Sequence, residues 1–171
     1  MKKAILFTIL FFIACAVIYN LYPEKKLPLN TEIDYIIVKK SNRQLLAYSK
    51  QKLIKTYQIS LGDSPVGHKA YEGDEKTPEG LYTINAKNAF SGYHKNLGIS
   101  YPNSKDIAHA KLLGKPVGGD IKIHGIRNNF GFIGKFQRFS DWTNGCMALT
   151  NSEVDELYAT VKIGTKIEIR P

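Results

Sequence analysis

The sequence predicts a mainly β domain, β-sandwich-like with mixed sheets and about two short α-helices. Between residues 33 and 88, short apolar runs rich in Ile, Val, Leu and Tyr alternate with polar turns, which is typical of strands. Helical spacing of apolar residues is clear only near 103–114 and 150–161, outside the N-terminus. We interpret residues 33–171 as one domain, because this length suits a single core.

The N-terminus carries a second, separate signal. Two lysines precede a run without charge from Ala4 to Pro23, the order typical of an export signal. Its strongly apolar part is short for a bilayer span of roughly twenty residues, although Tyr19 to Tyr22 could extend it as an interfacial anchor. We assign residues 1–22 as a signal peptide or an N-terminal membrane anchor. Cleavage, retention and lipidation at Cys15 all stay open.

The predicted location is therefore extracytoplasmic, in the periplasm or cell envelope, with possible membrane attachment through the N-terminus. Residues 23–32, which contain Pro23 and Pro28, are interpreted as a spacer. The formal net charge of +9 is spread along the chain without a dense basic run. This pattern disfavours a nucleic-acid partner and suits an anionic polymer or membrane surface, with plain solubility as the alternative.

The strands follow in order. Three runs after Ile33 are separated by SNRQ and SKQK and predict antiparallel strands. A long loop rich in Gly, Pro and Asp, ending in KTPEG, precedes a strand at LYTINAKN. Loops of this kind on a rigid sheet often carry function. GGDIKIHG predicts a later strand with Ile121 and Ile123 on one face, and TKIEIR predicts the last.

Two helices complete the elements. The first is capped by Asn103 or Ser104 and ends at Gly114, with Ile107, Ala110 and Leu113 expected to face inward. The second begins at Thr150, because Thr150 and Glu153 have capping-box spacing. We expect Val154, Leu157, Tyr158 and Val161 to form its inner face, and Gly164 to end it.

One thiol stands apart from the rest of the chain. Cys146, within DWTNGCMALTN, is the only cysteine after residue 15, so the domain cannot form an internal disulfide. It is either an inert buried residue or a reactive group. A cysteine reacts as its thiolate, which a neighbouring imidazole can provide. His124 ends a strand one loop earlier and is the best partner.

The remaining histidines and the turn before the thiol give further expectations. His68, His94 and His109 are interpreted as surface or packing residues. Gly145 permits a tight turn in which successive amides point to one spot, as an oxyanion hole requires; a plain Asn-Gly hairpin turn is the alternative. No histidine pair has ligand spacing and there is no Cys-x-x-Cys, so no metal is expected.

Taken together, IKIHG, DWTNGCMALTN and the upstream KTPEG resemble the L,D-transpeptidase catalytic domain family (YkuD-like), over roughly residues 33 to 170. The resemblance implies the L,D-transpeptidase catalytic domain fold and a cysteine enzyme without a cofactor. It implies that the thiol attacks the amide after the third residue of a peptidoglycan stem peptide. The resulting thioester would pass to an amine of another stem, forming a cross-link, or to water.

The resemblance also implies roles for individual residues. Cys146 would be the nucleophile and His124 the base, with the Gly125 carbonyl orienting the imidazole. The amides of Gly145 and Cys146, with Asn144, would hold the oxyanion, and Thr143 occupies the Ser/Thr position of the motif.

Two positions depart from the family's pattern. Asn144 stands where many members have histidine, and Ala148 stands where they have a substrate-positioning arginine. This T-x-G-C variant, in place of S-H-G-C, resembles a subgroup that includes hydrolases. Arg127 and Arg138, in the loop before Cys146, are candidate substrate-binding residues that could replace the missing cation, and Trp142 in the same loop is a candidate that would exclude water from the thioester. The alternative is that this loop is only structural.

Several functions therefore stay open beside a transpeptidase. The domain could be an L,D-carboxypeptidase or endopeptidase of the same fold. It could also be a non-catalytic cell-wall-binding module, and a low pKa of the Cys146 thiol would separate a poised catalyst from such a module. A thiol sensor is disfavoured because no second cysteine lies in the domain. The oligomeric state is not predicted.

Overall fold

The strands and helices of this chain form a curled sheet with helices packed around it. The computed structural model describes residues 1–28 and 30–171. These two ranges contain three helices, eight strands and one 3₁₀ segment, in chain order: α1 Lys2–Leu21, β1 Ile33–Lys39, β2 Gln44–Ser49, β3 Lys52–Gln58, β4 Gly80–Ser91, β5 His94–Ile99, α2 Ser104–Leu112, β6 Lys122–His124, the 3₁₀ segment Gly131–Phe139, β7 Met147–Ala148, α3 Asn151–Thr160 and β8 Val161–Arg170.

The eight strands form one mixed sheet in the order β3-β2-β1-β8-β4-β5-β6-β7. The pairs β1–β8 and β6–β7 are parallel and the others are antiparallel. The long strand β4 belongs to both halves, since it pairs with β8 from Gly80 to Thr83 and with β5 from Ile84 onward. The mainly β prediction with mixed sheets is confirmed, as are the three antiparallel strands after Ile33.

The apolar residues of both halves meet in one core. Buried side chains from β1, β2, β4, β5 and β8 pack with Val154 and Leu157 of α3. The inward positions predicted for α3 are therefore confirmed for these two residues. Ile121 and Ile123 are also buried, as the alternation of GGDIKIHG predicts.

The first predicted helix has its cap but not its inner face. The side chain of Asn103 accepts the N–H groups of Lys105 and Asp106, so the N-cap prediction is correct. Ala110 is buried, but Ile107 and Leu113 are 50% and 47% exposed, which makes their inward assignment wrong. The buried group is instead Asp106, whose carboxylate accepts a hydrogen bond from the Tyr82 hydroxyl at 3.0 Å. α2 is thus held against the sheet by this buried hydrogen bond rather than by a continuous apolar face.

The end of the chain shows a second difference from expectation. Val161 is buried, but it begins β8 directly after α3, so Gly164 lies inside a strand and does not end the helix. The pairing with β1 shifts there, because Ile33 pairs with Val161 while Tyr35 pairs with Lys166. Gly164, with φ of 93°, lies in this bulge.

Two strands that bound the functional site were not predicted. β5 begins at His94, and β7 has only two residues. β5 joins β4 to β6, and its Asn96 pairs with His124. Short strands such as these are fixed by their neighbours in the sheet, since their own sequence pattern is weak.

α1 is long and apolar enough to cross a membrane, although a signal sequence would have the same properties. The following spacer is packed on the domain at residues 25–27. Lys55 donates to the Lys25 carbonyl at 2.7 Å, and the Leu27 N–H donates to Glu156 at 2.7 Å. The N-terminal segment is thereby joined to β3 and α3.

Candidate functional site

His124 is held in one orientation at the end of β6. Its Nδ1 lies 2.7 Å from the carbonyl oxygen of Gly125. Because a carbonyl can only accept, Nδ1 carries the proton and Nε2 is left as the basic nitrogen. The imidazole is buried, 4.8 Å from the Tyr93 ring and 5.7 Å from the Trp142 ring between centroids.

Burial lowers the pKa of His124, and the nearby Lys122 charge lowers it further, against the opposing effect of the Gly125 carbonyl. Gly125 has no room for a side chain. A Cβ there would lie 2.7 Å from the Asn151 side-chain oxygen and 3.0 Å from Cβ of His94. The carbonyl that orients the imidazole is therefore fixed by close packing.

Cys146 reaches the same side of the sheet as His124. In the parallel pair β6–β7, His124 is opposite Ala148, and Cys146 lies two residues before Ala148. Because side chains alternate along a strand, this spacing favours the same face. Both residues line one open cleft of about 330 Å³, together with polar and aromatic side chains: Ser91, Tyr93, Asn96, Asp120, Lys122, Trp142, Thr143 and Asn144.

The surroundings of Cys146 favour its protonated thiol. Burial raises the pKa of Cys146, while the backbone N–H and the charge of Lys122 act in the opposite direction. The sulfur lies 3.8 Å from the carbonyl oxygen of Asp120, as a thiol donor would. The lowered thiol pKa that would mark a preformed catalyst is therefore not found.

The turn before Cys146 is closed by Thr143. Its hydroxyl accepts the Gly145 N–H at 3.1 Å and donates to the Cys146 carbonyl at 2.8 Å. The Gly145 amide thus has an internal partner in the Thr143 hydroxyl. Within the described residues, no acceptor takes the N–H of Cys146. Asn144 is exposed at the rim of the cleft.

Gly145 has the unusual backbone that its position suggested, with φ of 122°. A Cβ there would lie 2.6 Å from the Lys76 carbonyl oxygen, so the KTPEG segment packs directly beneath the turn. Two buried lysines hold the loop that contains this segment. Lys40 donates to the carbonyls of Gly67 and Thr77 and to Glu79, and Lys69 pairs with Asp74 at 2.8 Å.

The three candidate substrate-binding residues lie in different places. Trp142 lines the cleft and stacks on Tyr93 with ring centroids 6.1 Å apart. Arg127 is exposed and borders a separate apolar cleft on the other side of Trp142. Arg138 is not near Cys146, because it pairs with Glu24 at 3.1 Å and Glu153 at 2.8 Å. The structure does not bring either arginine to the cleft.

The cation of the cleft is a residue that sequence reasoning missed. Among the described residues that line it, Lys122 is the only lysine or arginine. The sequence could have predicted this place for Lys122, because Lys122 and His124 are two residues apart in a strand and therefore share a face. Ala148, where the family's arginine would stand, is fully buried between His124 and Ser60.

A curled, mostly β sheet with a cysteine and a histidine in one cleft defines the class of domain. The chain belongs to the family of L,D-transpeptidase catalytic domains, whose model (YkuD) matches residues 33–169. The resemblance seen in its motifs is thus confirmed.

Individual relatives agree with this assignment. The chain is 31% identical, over 133 residues, to the provisionally named L,D-transpeptidase YafK of Escherichia coli (strain K12), covering 74% of this chain and 46% of YafK. It is 28% identical over 138 residues to the provisionally named L,D-transpeptidase YqjB of Bacillus subtilis (strain 168), covering 79% and 70%. The chain spans about half the length of YafK.

Solved structures show the same fold. The helical cell shape determining protein Pgp2 from Campylobacter jejuni matches with a TM-score of 0.59 and 25% identity, covering 82% of this chain and 48% of Pgp2. An L,D-transpeptidase from Mycobacterium smegmatis matches with a TM-score of 0.53 and 13% identity, covering 80% and 58%. The L,D-transpeptidase catalytic domain fold is confirmed.

Proposed function

We propose that the domain is an extracytoplasmic cysteine acyl-transfer enzyme, an L,D-transpeptidase acting on peptidoglycan stem peptides. The observation that carries the proposal is the pairing of one thiol with one oriented imidazole in an open cleft. Nδ1 of His124 is committed to the Gly125 carbonyl, which leaves Nε2 to accept a proton. Family membership supplies the substrate class.

The reaction begins from neutral groups. As the donor stem enters, Nε2 of His124 takes the thiol proton while Sγ of Cys146 attacks the carbonyl carbon of the amide after the third residue. The tetrahedral oxyanion accepts the N–H of Cys146, which has no internal partner among the described residues. Collapse breaks the C–N bond, the imidazolium returns the proton to the leaving amine, and a thioester remains.

The second half determines the product. An acceptor amine loses a proton to His124 as it attacks the thioester, which gives a cross-link and restores the thiol. Water in the same position gives a shortened stem instead, the hydrolase outcome. Trp142 and Tyr93 shield the imidazole on one side, which limits access of water to the thioester.

Substrate recognition is assigned to the polar wall of the cleft. Lys122 lies beside the thiol and provides a cation for a stem-peptide carboxylate, the part played by the arginine that Ala148 replaces. Asn144, exposed at the rim, would contact the donor or acceptor stem. Thr143 holds the turn that carries Cys146, through its bonds to the Gly145 N–H and the Cys146 carbonyl.

The test is mass spectrometry of a purified tetrapeptide muropeptide incubated with the full chain in detergent, beside Cys146→Ala and His124→Gln. We expect a product that Cys146→Ala abolishes and His124→Gln slows by about a hundredfold or more, since general-base catalysis contributes that much. The product mass separates a cross-linked stem from a tripeptide. Turnover that persists in Cys146→Ala would disprove the proposal.

A negative result needs one further measurement. If stem peptides are returned unchanged, trapping with a β-lactam or other acylating probe shows whether Cys146 forms an acyl-enzyme. Absence of both product and adduct would favour the wall-binding module.

A further inference from the structure

The end of α1 is fitted into the 3₁₀ segment of the domain. The Asn20 side chain donates to the Phe132 carbonyl at 3.2 Å and accepts the Lys135 N–H at 2.7 Å. Between these two contacts the segment is kinked at Gly134, whose φ is 52°. A Cβ on Gly134 would lie 2.3 Å from the Asn20 oxygen, so the backbone is shaped around this side chain.

An ion-pair cluster closes the same junction. Glu24 lies 3.0 Å from Lys135 and 3.1 Å from Arg138, and Lys135 also donates to the Tyr22 carbonyl at 2.6 Å. Arg138 is held in turn by Glu153 at the start of α3. Such a network, with the Lys135 and Arg138 side chains largely buried, fixes the direction in which α1 leaves the domain.

The surface beside this junction is aromatic and exposed. Tyr19 stacks on Phe139 with ring centroids 5.8 Å apart, and Phe139 and Phe132 are 72% and 76% exposed. Lys25 and Lys26 follow Glu24 along the chain and line a groove with Lys52, while Lys55 in the same groove is already paired with Glu156. Aromatic side chains next to lysines, at the end of an apolar helix, are typical of a membrane–water interface.

We propose that the 3₁₀ segment Gly131–Phe139 is a membrane-contact surface, seated in the headgroup layer of an anionic bilayer and held there by a retained, docked α1. The occupant is the lipid bilayer, because the aromatic surface is continuous with a helix that is apolar, exposed along its length and long enough to span. The formal net charge of +9 suits anionic headgroups.

This placement links the membrane to the cleft. Gln137 lies in the same segment. Its side-chain oxygen accepts a hydrogen bond from the Trp142 indole N–H at 3.1 Å, and its backbone carbonyl accepts one from the Ser60 hydroxyl at 2.7 Å. Gln137 lies two residues before Phe139 and thus joins the wall of the cleft to the segment that carries the lipid-facing side chains. The domain would work in a fixed orientation, on stem peptides close to the membrane. The membrane contact itself requires no particular reaction at Cys146.

Lipid contact is tested by fluorescence quenching. Trp142 is the only tryptophan, so the full chain with W142F and F132W reports on position 132 alone. We expect phosphatidylglycerol vesicles with brominated acyl chains to quench it at least about twofold more than the matched control W142F with L112W, at an exposed end of α2. Equal quenching in the two variants would overturn the membrane surface.

Docking and retention are tested separately. In a Cys15→Ser, Cys146→Ser background, a short bifunctional maleimide should join Y19C to F139C in intact vesicles and leave Y19C with L112C unjoined. Absence of the first cross-link would overturn the docked junction. Intact mass of the chain isolated from host membranes should include residues 2–18, and a mature form that lacks them would overturn retention of α1.

Discussion

At the scale of single residues, the surroundings of Cys146 and His124 favour a neutral pair over a preformed ion pair. Burial raises the pKa of Cys146 and lowers the pKa of His124, and both shifts favour the uncharged forms. A thiolate then forms only as the imidazole takes the proton during attack. For such a pair, Cys146-dependent turnover, rather than a low pKa of the resting thiol, separates a catalyst from a wall-binding module.

The alkylation rate of Cys146 should therefore rise steadily with pH. In a Cys15→Ser background, we expect the rate with iodoacetamide to increase about tenfold per pH unit from about pH 6 to 9, because only the thiolate reacts. Lys122→Met should slow the reaction at every pH in this range, since the Lys122 charge lowers the thiol pKa. Labelling that is fast and independent of pH below about pH 7 would contradict the neutral pair.

Glycine at position 145 should be required for two separable reasons. Gly145→Ala meets both a left-handed backbone and a clash with the Lys76 carbonyl, whereas Gly73, with φ of 84°, has open space around it. We expect Gly73→Ala to cost about 1–3 kcal/mol of unfolding free energy and Gly145→Ala to cost more.

The matched control is Gly92, which has neither a positive φ nor a neighbour within 4 Å. Its alanine variant should lie within about 0.5 kcal/mol of the wild type. Urea unfolding of residues 24–171 measures all three variants. If Gly145→Ala were no worse than Gly73→Ala, the packing of KTPEG beneath the turn would be refuted.

At the scale of elements, α3 fastens the loop before the thiol to the rest of the domain. The Glu153 carboxylate accepts the Thr150 N–H at 3.0 Å and the Thr150 hydroxyl at 2.6 Å, and also pairs with Arg138. One side chain thus caps the helix and positions the 3₁₀ segment. Capping-box spacing predicted the first role, but nothing in the local sequence showed the second.

Removing the Glu153 charge should therefore lower the unfolding free energy far more than removing a more exposed charge of the same helix. We expect Glu153→Gln to lower the unfolding free energy by about 3 kcal/mol, because Arg138 is left buried without that partner. Asp155→Asn, which breaks the half-exposed pairs of Asp155 with Lys95 and His94, should lower the unfolding free energy by about 1 kcal/mol or less. Thermal or urea unfolding of both variants decides, and equal losses would contradict the fastening role.

Elements whose signals are local could be predicted, and those set by partners could not. The cap at Thr150 and the shared face of Ile121 and Ile123 follow from residue spacing alone. Strand β5 escaped prediction because it begins at His94, with φ of 62°, in a polar hairpin and gains its order from β4 and β6. Arg138 looked available for substrate, because its two carboxylate partners are distant in sequence.

The site itself divides in the same way. Cys146, His124 and Gly125 follow from a motif and were expected together. Lys122 was missed, although its spacing from His124 would have predicted its place. The role of Thr143 as the partner of the Gly145 amide depends on a hydrogen bond that only the folded turn defines.

At the scale of the whole molecule, buried acids and one buried imidazole connect stability to pH. The pKa of Glu156 is lowered: burial opposes this, but hydrogen bonds from Lys55, Tyr57 and the Leu27 N–H outweigh it. The pKa of Asp74 is lowered in the same way: burial opposes the shift, and the hydrogen bond from Lys69 is the largest of the effects that outweigh it. A carboxylate with a lowered folded pKa stabilises the fold above its unfolded pKa and loses this contribution as pH falls.

Acid should therefore destabilise the fold in two steps. His124 has a folded pKa below its ordinary value of 6.5, so the unfolded chain binds the proton more tightly and stability falls as pH drops below 6.5. The carboxylates add a second loss below their ordinary values of 3.8 and 4.5. Each unit of pKa shift changes the unfolding free energy by about 1.4 kcal/mol.

Urea unfolding of residues 24–171 across this pH range should show both steps. The first step should be absent in His124→Gln, and the second should be smaller in Glu156→Gln. A wild-type stability that stays level from about pH 7 to 5 would show that the pKa of His124 is not lowered in the folded domain. That result would contradict the neutral pair.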